Sequence, residues 1–364
     1  TGLGGDVRGA YLDAITAVNA SGLPVLAVDI PSGLCADSGR VLGQAVRSRL
    51  TVTFIARKRG LFTLAGPEVA GEVLFDDLGV PDAVYQGYPP ACSAPSLQHL
   101  LAGLAPRPAS AHKGRYGTVL VIGGDRGMAG AALLAAEAAL RCGAGLVRAA
   151  TRGEHVAALV SRRPEIMAVG VASGAELAPW LESADTVVIG PGLGQTAWSE
   201  QLLQAALASA KPMLLDADAL NLLAAGPPYA AAPAGARVIT PHPGEAGRLL
   251  GSDSAAVQRD RFTAVEELQH RYGGVALLKG NGTLVADGER CWLSTYGNPG
   301  MASGGMGDVL SGVIGALLAQ GMPAAEATIL GACLHGAAAD QAADDGQRGL
   351  IATDLMQPLR SLLG

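Results

Sequence analysis

The densest run of residues able to do chemistry is Gly297-Asn298-Pro299-Gly300-Met301-Ala302-Ser303-Gly304-Gly305-Met306-Gly307-Asp308, which leads straight into the apolar stretch Val309 to Ile314. Glycines at this density let successive backbone N–H groups point into one concavity. The free N–H groups and positive dipole end of a following helix add attraction for an anion, so phosphate is the expected ligand. Asp308 falls in the first helical turn. A carboxylate there either caps the helix or, aimed at a transferring phosphate, acts as a general base toward a substrate hydroxyl. An ordinary cap needs one small residue, and the length of this glycine-rich loop favours the base.

A second run, Leu277-Leu278-Lys279-Gly280-Asn281-Gly282-Thr283, ends an apolar strand. Ligands of open α/β sheets collect at such strand ends. Lys279 would supply charge to a nucleotide phosphate, and Gly280 and Gly282 close backbone approach. The other reading is a β-hairpin turn with a solvated lysine, because residues 283–286 and 291–294 look like flanking strands. Gly190-Pro191-Gly192-Leu193-Gly194 follows another apolar run; Gly192 and Gly194 either make a turn or admit a ligand. His242, in Thr240-Pro241-His242-Pro243-Gly244-Glu245, is either capped or surface-exposed. Asp216 and Asp218 end a strand and either position a metal–phosphate group or cap the next helix. Gly123-Gly124-Asp125-Arg126-Gly127 has the wrong spacing for a dinucleotide fingerprint, which disfavours a Rossmann dehydrogenase.

These loops require a scaffold of buried parallel strands. Short apolar runs flanked by Gly or Pro supply it at residues 118–122, 145–150, 185–189, 212–216, 237–240 and 275–279, with helical stretches between most of them. Helices are expected at 130–142, 308–320, 324–340 and 353–363. Ahead of this unit come a helix at 11–20 and strands at 24–29 and 50–56, again in α/β alternation. Between them Pro89, Pro90, Pro95, Pro106 and Pro108 mark a connector. The expected division is 1–85, a connector at 86–111, and 112–364.

The chain has 364 residues, 26 basic and 32 acidic side chains, and a formal net charge of −6. That balance argues against a nucleic-acid partner. The longest uncharged apolar stretches are broken by Gly312, Gly315, Gly321 and Pro323, or by Pro227, Pro228 and Pro233, so no membrane span is expected. Five scattered cysteines without a C-x-x-C pair resemble neither a disulfide framework nor a zinc site, and a reducing cytoplasm is the expected setting. Many small apolar residues and low charge are compatible with a homo-oligomer. Neither an initiator Met nor a signal peptide opens the chain, which is expected to begin inside a domain.

As a set, His112 to Gly124, Gly190 to Gly194, Asp216 to Asn221, His242 to Glu245, Lys279 to Thr283 and Asn298 to Asp308 resemble the ADP-dependent NAD(P)H-hydrate dehydratase family. The segments Thr1-Gly2-Leu3-Gly4-Gly5-Asp6 and Val28-Asp29-Ile30-Pro31-Ser32-Gly33 are similar to an NAD(P)H-hydrate epimerase domain, which in bacteria is normally fused ahead of the dehydratase. The resemblance implies a ribokinase-like α/β/α domain preceded by part of a Rossmann-like epimerase domain. It implies that ADP, with Mg²⁺, phosphorylates the hydroxyl of the S-form of hydrated NADH or NADPH, and that phosphate is then eliminated. AMP and restored cofactor are the other products. Asp308 corresponds to the catalytic aspartate. Ala131 or Ala132, Gly192 or Gly194, and His242 correspond to substrate contacts. Lys279, Gly280, Asn281, Gly282, Thr283, Asn298, Gly304, Gly305 and Gly307 correspond to the nucleotide site.

In the N-terminal unit, the resemblance makes Thr1, Gly2, Leu3, Gly4, Gly5 and Asp6 substrate-binding, Asp29 catalytic and Ser32 a K⁺ ligand. The first half of the epimerase pattern, with its Asn-containing segment, is missing from this sequence. The nearest rival is a ribokinase-like kinase of a small alcohol, which shares the G-x-G-D cradle but has no reason to carry an epimerase-like segment. A nucleotide-binding regulator without catalysis is a further rival, and it needs no positioned base.

Overall fold

The apolar run Thr118–Ile122 forms a strand buried at every position. Side chains alternate across a strand. Val119 and Val121 therefore enter one core and Leu120 and Ile122 the other, so this strand is covered on both faces. The computed structural model describes residues 4–226 and 237–364.

In chain order the strands are β1 (Leu26–Val28), β2 (Leu50–Phe54), β3 (Glu72–Asp76), β4 (Thr118–Ile122), β5 (Leu146–Thr151), β6 (Met167–Gly170), β7 (Thr186–Ile189), β8 (Met213–Leu215), β9 (Arg237–Ile239), β10 (Val275–Leu278), β11 (Thr283–Ala286) and β12 (Cys291–Ser294). The last nine form one sheet in the order β12-β11-β10-β9-β8-β7-β4-β5-β6. Its strands run parallel from β6 across to β10, and the β11–β12 hairpin is antiparallel. Strand order reverses between β4 and β7, the crevice where such sheets bind ligands. β1, β2 and β3 make a separate parallel sheet.

Helices cover both faces of the larger sheet. The Ala129–Arg141, Met306–Ala319 and Ala324–Ala342 helices supply one core, and the Ala197–Ala208, Ala217–Ala224 and Arg261–Tyr272 helices the other. Met306–Ala319 is buried almost throughout. A Cβ on its Gly312 would collide with the Ala135 carbonyl, so the two helices approach to backbone contact. That accounts for an uncharged stretch interrupted by glycines, as expected of a core helix rather than a span. Among the described residues no helix is long and apolar enough to cross a membrane.

Three features differ from the sequence expectations. β3 and β6, at sheet edges with mostly exposed or half-buried positions, fall outside the expected strands even though each carries a short apolar run, Val73-Leu74-Phe75 and Ile166-Met167-Ala168-Val169. The stretch expected at 353–363 begins as a 3₁₀ turn, Ala352–Leu355, before the Met356–Leu363 helix. The Pro-rich stretch is seated on the larger unit: it contains a Leu97–Leu101 helix, Leu97 is buried in the core, and its N–H donates to the Tyr296 hydroxyl at 2.8 Å. Leucines at 97, 100, 101 and 104 bury against that core, which composition dominated by proline conceals.

Candidate functional site

The loops at the C-terminal ends of β8 and β10 meet at the first turn of the Met306–Ala319 helix, and the β4 and β7 loops lie against one another beside Asp216 and Asp218. Gly305 caps that helix with φ of 91°, a left-handed conformation that a side-chain-bearing residue adopts only with strain. Gly307 lies directly over an ion pair: a Cβ built on it would be 3.3 Å from Lys279 Nζ and 3.6 Å from Asp216 Oδ2. Lys279 Nζ donates to Asp216 Oδ1 at 2.7 Å and lies 3.9 Å from Glu245 Oε2. Ser311 Oγ, one turn beyond Asp308, donates to Asp216 Oδ2 at 2.8 Å. Asp216 is 1% exposed, so this pair is held out of water.

Burial pushes the Asp308 carboxyl up to about 7; the neighbouring charges of Asp216 and Asp218 push the same way, and Lys279 opposes them. A group with that value changes protonation near neutral pH, which suits a general base. Glu245 is also raised, first by burial, with Lys279 opposing and Asp216 adding. Lys279 goes up despite burial because Asp216 and Glu245 favour its charged form. Burial lowers His335, behind Met306, to about 4, so it is neutral and adds no charge.

The expected residues are distributed as follows. His242 caps the Pro243–Leu250 helix: its Nδ1 accepts from Gly244 N–H at 2.9 Å, its N–H donates to Glu245 Oε2 at 2.8 Å, and its ring is half exposed. Capping and exposure, alternatives on sequence grounds, hold together. Gly194 N–H donates to Asp218 Oδ2 at 2.8 Å, and Gly192 accepts from Asp125 N–H. Ala131 is half-buried beside Gly192. Ala132 is fully buried, its methyl group packed against Gly124. Gly304 is exposed at the loop's rim, and Ser303 places a buried hydroxyl with no protein partner beside it.

Two of the nucleotide loops also make contacts within the protein. Asn281 and Gly282 touch the N-terminal unit: Asn281 Nδ2 donates to the Leu64 carbonyl at 2.6 Å, its carbonyl accepts from Leu64 N–H and Thr63 Oγ1, and a Cβ on Gly282 would collide with the Phe62 carbonyl. Close approach at Gly282 thus serves packing between units. Thr283 Oγ1 closes the turn onto the Gly280 carbonyl, and Gly280 stays exposed. The Asn298 side chain ties its loop to the Ala324–Ala342 helix by donating to Asp340 at 3.0 Å, and it also accepts from Gly300 N–H.

Sequence reasoning did not single out Arg261, Ser311 or Asp340. Arg261 is fully buried and donates to the carbonyls of Leu278, Lys279 and Gly282, so it shapes the strand end that carries Lys279. Burial lowers its guanidinium to about 10. The three are separated by tens of residues from the groups they hold, and no local pattern reveals such contacts.

The N-terminal unit has a cleft of about 950 Å³ lined by Asp6, Arg8, Tyr11, Asp29 and Ser32 among others. Asp29 ends β1 with φ of 70°, an uncommon value for a residue other than glycine. Burial would raise its carboxyl, but Lys58 and the Phe54 N–H hold it below the usual range. Gly4 and Gly5 are exposed near the cleft's sequence, and Thr1, Gly2 and Leu3 lie outside the described residues. Among the described residues no three His, Cys, Asp or Glu side chains form a metal cage.

The family model described as NAD(P)H-hydrate dehydratase matches residues 119–360, and the model described as YjeF-related protein N-terminus matches residues 1–60. The chain is 49% identical over its full length to the bifunctional NAD(P)H-hydrate repair enzyme Nnr of Coxiella burnetii, covering 74% of that protein. It is 48% identical to the enzyme of the same name from Escherichia coli, again over its full length and 70% of that protein. Among solved structures, an ADP/ATP-dependent NAD(P)H-hydrate dehydratase from Bacillus subtilis, co-crystallized with ATP/Mg²⁺, matches with a TM-score of 0.67 and 31% identity. It covers 74% of this chain and 97% of its own. A ribokinase-like superfamily protein from Enterococcus faecalis matches with a TM-score of 0.69 and 31% identity, over 76% of this chain and 96% of its own. A glycine cradle set on a buried carboxylate and lysine, and full-length identity approaching one half, place this chain in the family of bifunctional NAD(P)H-hydrate repair enzymes.

Proposed function

We propose that this chain dehydrates the S-form of hydrated NADH or NADPH with ADP as phosphoryl donor, giving NADH or NADPH, AMP and phosphate. The observation that carries the reading is Asp308, raised to about 7 at the mouth of a glycine cradle and beside the Lys279–Asp216 pair. In its ionised form Asp308 takes the proton of the ring hydroxyl as that oxygen attacks the terminal phosphate of ADP. The N–H groups of the first helical turn hold the phosphate oxygens. Elimination of the phosphorylated oxygen then restores the dihydronicotinamide ring. Gly280, Gly304, Gly305 and Gly307 line the nucleotide, with Lys279 supplying positive charge beneath it. Ala131, Gly192, Gly194 and His242 border the hydrated ring.

Mg²⁺ is bound by one or two carboxylates together with substrate phosphates; Asp218, near Asp308, would supply a carboxylate, while Asp216, whose oxygens hold Lys279 and Ser311, would support the site from beneath. When bound, the ion neutralises charge developing on the transferring phosphoryl group. In the N-terminal unit, the reading gives Asp29 the epimerase carboxylate, Asp6 and the preceding glycine-rich segment the substrate contact, and Ser32 a K⁺ ligand. The oxygen donors of that cleft suit such a cation. The same reading divides the chain into an epimerase-type unit at 1–85, a connector at 86–111 and the dehydratase unit at 112–364. It places a homo-oligomer in the cytoplasm.

The test is incubation of the full chain with ADP, Mg²⁺ and hydrated NADH. Recovery of dihydronicotinamide absorbance with one AMP per turnover is expected. A stable phosphorylated product from a simple alcohol, without recovery of NADH, would replace this reading with a small-molecule kinase.

A further inference from the structure

Cys92 of the Pro-rich stretch and Cys291 of β12 are cross-strand neighbours. Ser93 N–H donates to the Cys291 carbonyl at 2.9 Å, and Leu293 N–H donates to the Ser93 carbonyl at 2.8 Å. These bonds pair Ser93 with Trp292 in a parallel bridge. One residue back along both segments, Cys92 therefore stands beside Cys291, with both side chains on the same face. Neighbouring strands lie about 4.8 Å apart, within the roughly 4.4–6.8 Å between Cα atoms that a disulfide spans. Both cysteines pack against the rim of the same core and are only partly buried, so a small oxidant reaches them.

The two thiols are not equivalent. A hydrogen bond from Cys291 holds the Cys92 thiol below its usual range; burial opposes this, and the Arg59 guanidinium reinforces it. The same hydrogen bond and burial push the Cys291 thiol up. Arg59 is itself anchored over the Phe262 ring, 4.2 Å from its centre, so this corner joins the N-terminal unit, the connector and the larger sheet. Of the other cysteines, Cys142 and Cys333 are buried, and Cys35 lies in the N-terminal unit.

We propose that Cys92 and Cys291 form a reversible intramolecular disulfide on exposure to a peroxide, fastening the connector to the edge strand of the nine-stranded sheet. The Cys92 thiolate attacks the O–O bond of hydrogen peroxide, giving a sulfenic acid and, after protonation of the leaving hydroxide, water. The Cys291 sulfur then attacks the Cys92 sulfur and gives up its proton. The S–O bond breaks and a second water leaves. Two thiols lose two hydrogens and two electrons, and one peroxide is reduced to two waters.

The experiment treats the full chain with hydrogen peroxide, blocks free thiols, digests without reductant and maps peptides by mass spectrometry. The expected product links the Cys92 and Cys291 peptides with the loss of two hydrogens, and dithiothreitol reverses it. Neither Cys92→Ser nor Cys291→Ser forms it, and both keep dehydratase activity. In Cys291→Ser, a sulfenic acid trapped by dimedone accumulates at Cys92. Oxidation of the parent slows protease cleavage within residues 86–96 several-fold. Over-oxidised but unlinked Cys92, or links to Cys35 in equal amount, would overturn the pairing. An unchanged cleavage rate in the linked protein would overturn the fastening.

Discussion

Asp308 and Asp29 are both aspartates of the candidate sites, each near a lysine, yet their surroundings drive them in opposite directions. Asp308 is half-buried near Asp216 and Asp218, and the lysine there is already committed to Asp216 and Glu245; its carboxyl rises to about 7. Asp29 has Lys58 to itself, with the Phe54 N–H and the Thr53 hydroxyl as further donors, and is held below the ordinary carboxylate range. One is poised to take and return a proton near neutrality; the other stays ionised. Burial first, and then two neighbouring carboxylates against a lysine shared with Asp216 and Glu245, separate the Asp308 site from that of Asp29.

The largest test of that contrast is Asp308→Ala, which is expected to lower kcat for ADP-dependent dehydration by about 10²–10⁴-fold with nucleotide binding retained. Turnover within a few-fold of the parent would remove Asp308 from the base role. Next in size is Lys279→Met, which strands two buried carboxylates and costs about 3 kcal/mol of stability in denaturant unfolding. A loss below about 0.5 kcal/mol would show that the cluster is wetter than the 1% exposure of Asp216 implies.

Asp308→Asn tests the same burial from the stability side. The folded chain holds the Asp308 proton up to about 7, whereas an unfolded aspartate releases it near 3.9. Its contribution is therefore full below about pH 4 and is lost as pH rises through about 7. The asparagine variant should exceed the parent at about pH 8 by on the order of 2 kcal/mol, with the gap closing toward about pH 4. A gap that widens in acid would reverse the assigned direction. The smallest effect belongs to the other unit. Lys58→Met should raise the Asp29 carboxyl toward its ordinary value, seen by NMR titration, at a cost of about 1 kcal/mol. Dehydratase kcat should stay unchanged, and a fall comparable to that of Asp308→Ala would dissolve the separation of the two sites.

How far this arrangement is legible in the sequence depends on whether burial leaves a local trace. β4, β11 and β12 fall where the apolar runs place them, because buried strands read as continuous apolar segments. β3, with exposed charges at both ends, leaves only the short run Val73-Leu74-Phe75. Asp308 and Lys279 are marked by the glycines beside them. The Ser311–Asp216 and Lys279–Asp216 bonds join residues 95 and 63 positions apart, and Arg261 reads in sequence as one more helix-surface arginine. The contacts of Asn281 and Gly282 with Leu64 and Phe62 leave no trace for the same reason: a glycine that admits a phosphate and one that admits a neighbouring backbone look alike until the neighbour is in place.

The central claim is that a half-buried Asp308, ionising near neutrality, is the base of the dehydration. The most direct measurement is the pH dependence of kcat with saturating ADP, Mg²⁺ and hydrated NADH. The account predicts a rate that rises about tenfold per pH unit in acid and levels off above a midpoint near 7. A rate that is flat from about pH 5 to pH 8, or one whose midpoint sits at the ordinary carboxylate value of about 4, would contradict it.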